Sequence, residues 1–196
     1  MSRHVMIDLE TLSLKPGGAI ASIGALEFYP EANVIGKELH IAVNTTSCLL
    51  AGLTIDPGTV NWWKKQSAMA REAITDNPAT LQAALRMLND LLIDPDLHIV
   101  PDGLVIWCRG TSFDPVMLEA AFEAAGMKPL WKYWQWRDMR TLLKVCEECF
   151  GYMEPARSDT AHDALDDCRH QSRIVTECLA LLMPKPAPIL VSAVAA

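Results

Sequence analysis

Val5-Met6-Ile7-Asp8-Leu9-Glu10-Thr11, close behind the N-terminus, sets two acids into an otherwise apolar run. A strand turns successive side chains to opposite faces, so Val5, Ile7 and Leu9 share one face and Met6, Asp8 and Glu10 the other. Asp and Glu are poor strand residues and are costly to bury without a partner. Two on one face call for a compensating charge, and a divalent cation is the simplest candidate. The alternative is a strand that ends at Asp8, with both acids solvated at its lip.

Downstream of this run the chain first keeps the period of a sheet. Residues 19–28 and 36–44 read as two further strands, separated by turn-rich stretches around Pro16-Gly17-Gly18 and Pro30 to Asn33. Three consecutive strands predict an antiparallel meander. The period then changes. Asp56-Pro57 opens a helical stretch, and Leu81, Ala84, Leu85, Leu88, Leu91 and Leu92 make an apolar stripe along a helix over 78–93. A buried strand is expected over 104–108, a helix over 113–125, a short aromatic strand over 131–136, and helices over 137–150 and 164–182. The class is α/β, a mixed β-sheet flanked by α-helices, in one domain over 1–183. Residues 184–196, rich in Pro and Ala, read as a flexible tail.

Composition bounds the function. With 51% hydrophobic and 21% charged residues in 196, the chain can fill a core. No apolar run approaches the about 18 residues of a membrane span, and no basic, long-apolar leader precedes the first strand, so the expected location is the cytoplasm. Six scattered cysteines read as reduced thiols, and Cys146-Glu-Glu-Cys149 lacks the second half of a zinc site. A net charge of −7 argues against a broad nucleic-acid surface but allows a local groove whose acids are neutralised by metal.

Acids of the right kind return twice. Asp114 sits before Pro115 where a buried strand turns into a helix, as a good N-cap does, and a cap can aim a carboxylate at the end of the sheet. In His162-Asp163-Ala164-Leu165-Asp166-Asp167, a histidine precedes three acids. That is also how a solvated, dipole-favoured first helical turn looks. His162 and Asp167 lie about 140° apart on an ideal helix, so they converge only if His162 stays on the entering loop.

These residues carry a resemblance. Asp8-x-Glu10, Phe113-Asp114-x-x-x-Leu118 and His162-x-Ala164-x-x-Asp167, in that order, resemble the three motifs of the DEDDh 3'-to-5' exonucleases. Thr59-Val-Asn-Trp62-Trp63-Lys-Lys-Gln66, Trp107-x-Arg109-Gly110 and Arg137-Asp138-x-Arg140-Thr141 are similar to the exonuclease A group of T-even phages and to mycobacterial exoribonuclease-like domains. Gly110 departs from the wider superfamily, where asparagine is common.

The resemblance implies a ribonuclease H-like fold and a two-metal phosphodiesterase releasing nucleoside 5'-monophosphates from a single-stranded 3' end, DNA or RNA. It implies two divalent ions, Mg²⁺ or Mn²⁺, held by Asp8, Glu10, Asp114 and Asp167, with His162 as general base. Asp166 is the rival of Asp167, and the motif spacing favours the latter. Trp62 and Trp63, about 100° apart on a helix, cannot both face the core, so one is available to stack on a base. Gln66 is a candidate for reading a sugar or base. Arg109 and Arg137 are candidates for gripping phosphate, with an Arg137–Asp138 ion pair as the structural alternative. Related exonucleases occur as monomers and as homodimers. Two other readings share this fold: a binding module that has lost its chemistry, and a dinucleotide phosphodiesterase.

Overall fold

The computed structural model describes residues 2–157 and 161–183. The first strand, β1 (His4–Thr11), runs through both acids, so the reading in which it ends at Asp8 does not hold. It pairs antiparallel with β2 (Ile20–Tyr29), which pairs antiparallel with β3 (Val34–Ala42), giving the expected meander. On the other side of β1, β4 (Val105–Cys108) and β5 (Trp136–Asp138) run parallel to it. Among the described residues the sheet has five strands in the order β3-β2-β1-β4-β5.

Alternation along β1 sorts the interior into two layers. Val5, Ile7 and Leu9 face a core completed by α4 (Leu81–Leu92) and α5 (Asp114–Ala124), with Leu85, Leu88, Leu118 and Phe122 fully buried. Met6 faces the second core with Met139 and Leu143 of α6 (Met139–Phe150) and Ile174 and Val175 of α7 (Ala164–Leu182). Asp8 and Glu10 share the second face and lie beyond Met6 towards the carboxyl end of β1.

Several boundaries differ from the sequence reading, each for a local reason. The expected strand over 131–136 is largely a 3₁₀ turn over Tyr133–Gln135. Gln135 fixes it, accepting from the Lys132 amide at 2.8 Å and donating to the Pro101 carbonyl at 2.8 Å. The next helix starts at Met139 rather than 137, because Asp138 caps it by accepting from the Thr141 amide at 2.8 Å. Two six-residue helices, α1 (Thr45–Leu50) and α3 (Ala68–Ala73), are too short for a period to register, although Asn44 and Ser67 cap them. Between them, α2 (Pro57–Trp63) is capped by Asp56 as read. Asp114 is not the N-cap of α5: Phe113 takes that place, and Asp114 lies in the first turn. The expected tail, 184–196, falls outside the described residues. All six cysteines are free thiols, and only Cys149 is exposed.

One glycine sets the height of α7 above the sheet. Gly24 is the β2 partner of Asp8 in the register. A Cβ built there would overlap the Ala164 carbonyl and lie 2.7 Å from the Leu165 amide nitrogen. The first turn of α7 thus rests on bare backbone beside Asp8. Backbone cannot move aside as a side-chain end can, so Gly24→Ala should destabilise by about 2 kcal/mol or more. Urea denaturation reads this directly, and an unchanged midpoint would mean that α7 can lift without loss.

Candidate active site

Two of the acids come from a strand and two from helix starts. Asp8 and Glu10 project from β1, Asp114 from the first turn of α5, and Asp167 from the first turn of α7. Asp163 caps α7, accepting from the Leu165 and Asp166 amides at 3.0 and 3.1 Å. His162 stays on the entering loop with φ +66°, a left-handed conformation that non-glycine residues seldom adopt. All five line one cleft of about 350 Å³, together with Arg109, Ser112, Phe113, Arg140, Arg157 and Gln171.

Within it, ligand-type atoms of Glu10, His162 and Asp167 all lie within 4.8 Å of one another, and His162 Nδ1 is 3.9 Å from Glu10 Oε1. Gln171, one turn after Asp167, donates to Asp8 Oδ1 at 2.7 Å. Arg157 is ion-paired with Asp167. Asp166 points elsewhere, bonded to Arg169 at 2.8 Å, while Arg169 also holds Glu38 on β3.

The carboxylates are crowded and largely shielded from water, Glu10, Asp114 and Asp167 buried and Asp8 half-buried. Burial first, then the charges of Asp114, Asp167 and Glu10, hold Asp8 well above the ordinary carboxylate range, against the hydrogen bond from Gln171. Burial, then Asp167, Asp114 and Asp163, push Glu10 up to about 8, with Arg157 opposing. Burial also raises Asp114, while nearby backbone amides and Arg140 counter it. Such a set of oxygen donors fits a hard divalent cation, whose charge removes the repulsion that proton uptake otherwise relieves.

Beside the cleft, and sharing Leu9, Glu10 and Phe113 with it, opens a mainly apolar pocket of about 500 Å³ walled by Trp62, Trp63, Leu14 and Thr59. The tryptophan pair divides as helix geometry requires. Trp63 is buried and donates from Nε1 to the Thr11 carbonyl at 2.9 Å, whereas Trp62 is 41% exposed with its ring 4.8 Å from that of His162, edge to face.

Gln66 and Arg137 are not among the residues lining either pocket. Gln66 donates to the Trp62 carbonyl at 3.1 Å. Arg137 Nη1 donates to the carbonyls of Trp134 and Trp136 at 2.6 and 2.8 Å, and Asp138, besides capping α6, accepts from the Thr111 amide at 3.0 Å. The Arg-Asp pair in sequence therefore serves two separate contacts, with Asp138 tying the β4–α5 loop to α6. The sequence reading missed Arg157 and Gln171. Gln171 had a signal, four residues after Asp167 on the same helical face; Arg157 is a cation among acids on an irregular segment.

The chain resembles nucleases throughout. A profile of the family described as 3'-5' exoribonuclease Rv2179c-like domain matches residues 3–179. The exodeoxyribonuclease of Enterobacteria phage T4 is 26% identical, over 83% of this chain and 83% of that protein. Among solved structures, exonuclease I without ligand is 17% identical with a TM-score of 0.66, covering 93% of this chain and 42% of that one. E. coli exonuclease I in complex with a dA16 oligonucleotide gives 17%, 0.67, 93% and 41%. Cell-death related nuclease 4 gives 12%, 0.66, 92% and 64%. The chain spans about two fifths of exonuclease I, and the shared fold is the ribonuclease H-like one expected from the sequence.

The raised Glu10 fixes a sign for stability. Below its ordinary value of 4.5, folded and unfolded chains both hold the proton; from there to about 8 the unfolded chain releases it while the folded chain keeps it. Stability is then lost as pH rises through that window. In EDTA the melting temperature should fall between about pH 5 and about pH 8 by on the order of 5 °C. Glu10→Gln should flatten the fall, and Mg²⁺ or Mn²⁺ should raise melting more at the higher pH. A flat profile for both proteins in EDTA would contradict this.

Proposed function

The chain belongs to the Rv2179c-like family of 3'-5' exoribonuclease domains and is a 3'-5' exonuclease, and on that premise we propose that it removes nucleoside 5'-monophosphates from the 3' end of single-stranded DNA or RNA. The observation that carries this reading is the convergence of Asp8, Glu10, Asp114, Asp167 and His162 on one cleft beside an aromatic pocket. A family described as exoribonuclease domains and a relative called an exodeoxyribonuclease support both sugars as substrates. The oligonucleotide held by exonuclease I supports a single strand.

Activity depends on divalent metal, and the four carboxylates would hold two ions, Mg²⁺ or Mn²⁺. When bound, these neutralise the cluster, draw in the scissile phosphate and stabilise charge on the leaving 3'-oxygen. The residues of the chain do the rest. His162 stands at the cleft mouth with its side chain 42% exposed and Nδ1 3.9 Å from Glu10 Oε1, placed to take a proton from an attacking water. Trp62 offers an exposed face to the terminal base at the junction of the two pockets. Arg109 and Arg140 bring positive charge to the phosphate side of the cleft. Gln171 holds the Asp8 carboxylate in place through its 2.7 Å hydrogen bond.

A time course on 5'-labelled single strands of DNA and RNA tests the reading. The expected result is a ladder shortening from the 3' end with Mg²⁺ or Mn²⁺, abolished by EDTA and by Asp8→Ala. His162→Gln should lower kcat by about 10²-fold or more while oligonucleotide binding persists. Intact polymers that still shift on a native gel would favour a binding module. Cleavage confined to dinucleotides would favour a small-substrate phosphodiesterase.

A further inference from the structure

Away from the cleft, the chain's surface charge is unevenly spread. Its net charge is −7, yet residues 128–144 carry five basic side chains and a single acid. That segment contains the 3₁₀ turn, the edge strand β5 and the start of α6. At one end Arg140 lines the cleft, and its amide bonds the carbonyl of Arg109, a second cleft residue, at 3.3 Å. At the other end Tyr133 and Trp134 stand 81% and 50% exposed, their rings 5.0 Å apart and edge to face. The Lys132 ammonium lies 5.2 Å from the Trp134 ring centroid. Between the two ends lies Arg137, exposed and hydrogen-bonded to the Trp134 carbonyl.

We infer that this edge is a second binding site, a track from the cleft across β5 to Tyr133 and Trp134 that holds the single strand upstream of its reacting 3' end. Positive charge follows the phosphates through Arg140 and Arg137, and the two aromatics give unpaired bases a stacking platform. Neither aromatic belongs to either of the two apolar cores. Arg137 bonds the Trp134 and Trp136 carbonyls through Nη1, which carries two of the five N–H donors of its guanidinium. The three residues of β5 extend about 10 Å, so the platform reaches bases a few nucleotides from the cut. Charge selects the occupant: Lys132 pairs with Asp102 and Lys144 with Glu147, so the charge along the track is carried by the exposed Arg137 and Arg140, which suit a polyanion better than a second copy of an acidic chain. The inference rests on the exonuclease reading and names where that substrate extends.

The test compares kcat/KM of the full chain on a 5'-labelled single strand of about 12 nucleotides and on a dinucleotide of the same 3' sequence. In the double variant Tyr133→Ala, Trp134→Ala the ratio of the two should fall about tenfold, within the range that loss of base stacking produces. In Arg137→Ala the slope of log affinity for the longer strand against log salt should shrink by about 0.7. Equal losses on both substrates, or none on the longer one, overturn the track. So does a wild-type dimer that the double variant turns into a monomer with the ratio unchanged, which makes the patch a subunit interface. A wild type that cuts neither substrate sinks the exonuclease reading instead. Fluorescence anisotropy of the longer strand in EDTA then judges the track alone: about tenfold weaker binding by the double variant supports it, and equal binding overturns it.

Discussion

Mutual repulsion among buried carboxylates is the constraint that the architecture answers. Asp8, Glu10, Asp114 and Asp167 share a cleft in which burial disfavours ionisation of Asp8, Glu10 and Asp114, and the charge of neighbouring carboxylates adds to this at Asp8 and Glu10. A loop could relieve that by swinging outward; the elements used here cannot. Two acids are fixed on the central strand of the sheet, and two sit in first helical turns, where exposed amides and the helix dipole favour negative charge. Gln171 and Arg157 offset part of what remains. The two apolar cores on either side of β1 supply the stability that this cleft consumes.

Position matters as much as charge, and it depends on the approach of α7 to the sheet. Gly24 lies opposite Asp8 in the register, and with no side chain there the α7 backbone comes down onto β2. That contact delivers Asp167 and Gln171 to the cleft beside Asp8. His162, one residue before the α7 cap, completes the turn with a left-handed backbone, a conformation that local sequence disfavours and the surrounding contacts hold.

What the sequence made legible follows from the range of each interaction. Alternation in β1 is local, so the acids' common face and the sorting of Val5, Ile7 and Leu9 from Met6 were readable. The meander and the stripe of α4 were readable for the same reason. Capping is local too, but ambiguous: Asp114 beside Pro115 looked like a cap and is not one, whereas Asp138 is a cap that sequence placed inside a helix. The role of Gly24 needed the register across β1 and β2 together with the height of α7, three elements spread over most of the chain. Arg157 needed an irregular segment to fold back on a helix, which no periodicity encodes.

The tryptophan pair shows how a packing residue and an exposed neighbour become one device. Trp63 is buried and its Nε1 holds the Thr11 carbonyl. Thr11 is where the β1–β2 register slips by one residue, just past Glu10, and such bulges re-aim neighbouring side chains. Anchoring α2 at that carbonyl ties the aromatic wall to the same strand end that presents Glu10. Trp62, the preceding residue, is then carried against His162 at a height set by the anchor. A shift of the strand end would therefore move the acid, the histidine's neighbour and the pocket wall together, so the spacing between the acidic cleft and the aromatic pocket is kept by one hydrogen bond and one helix turn.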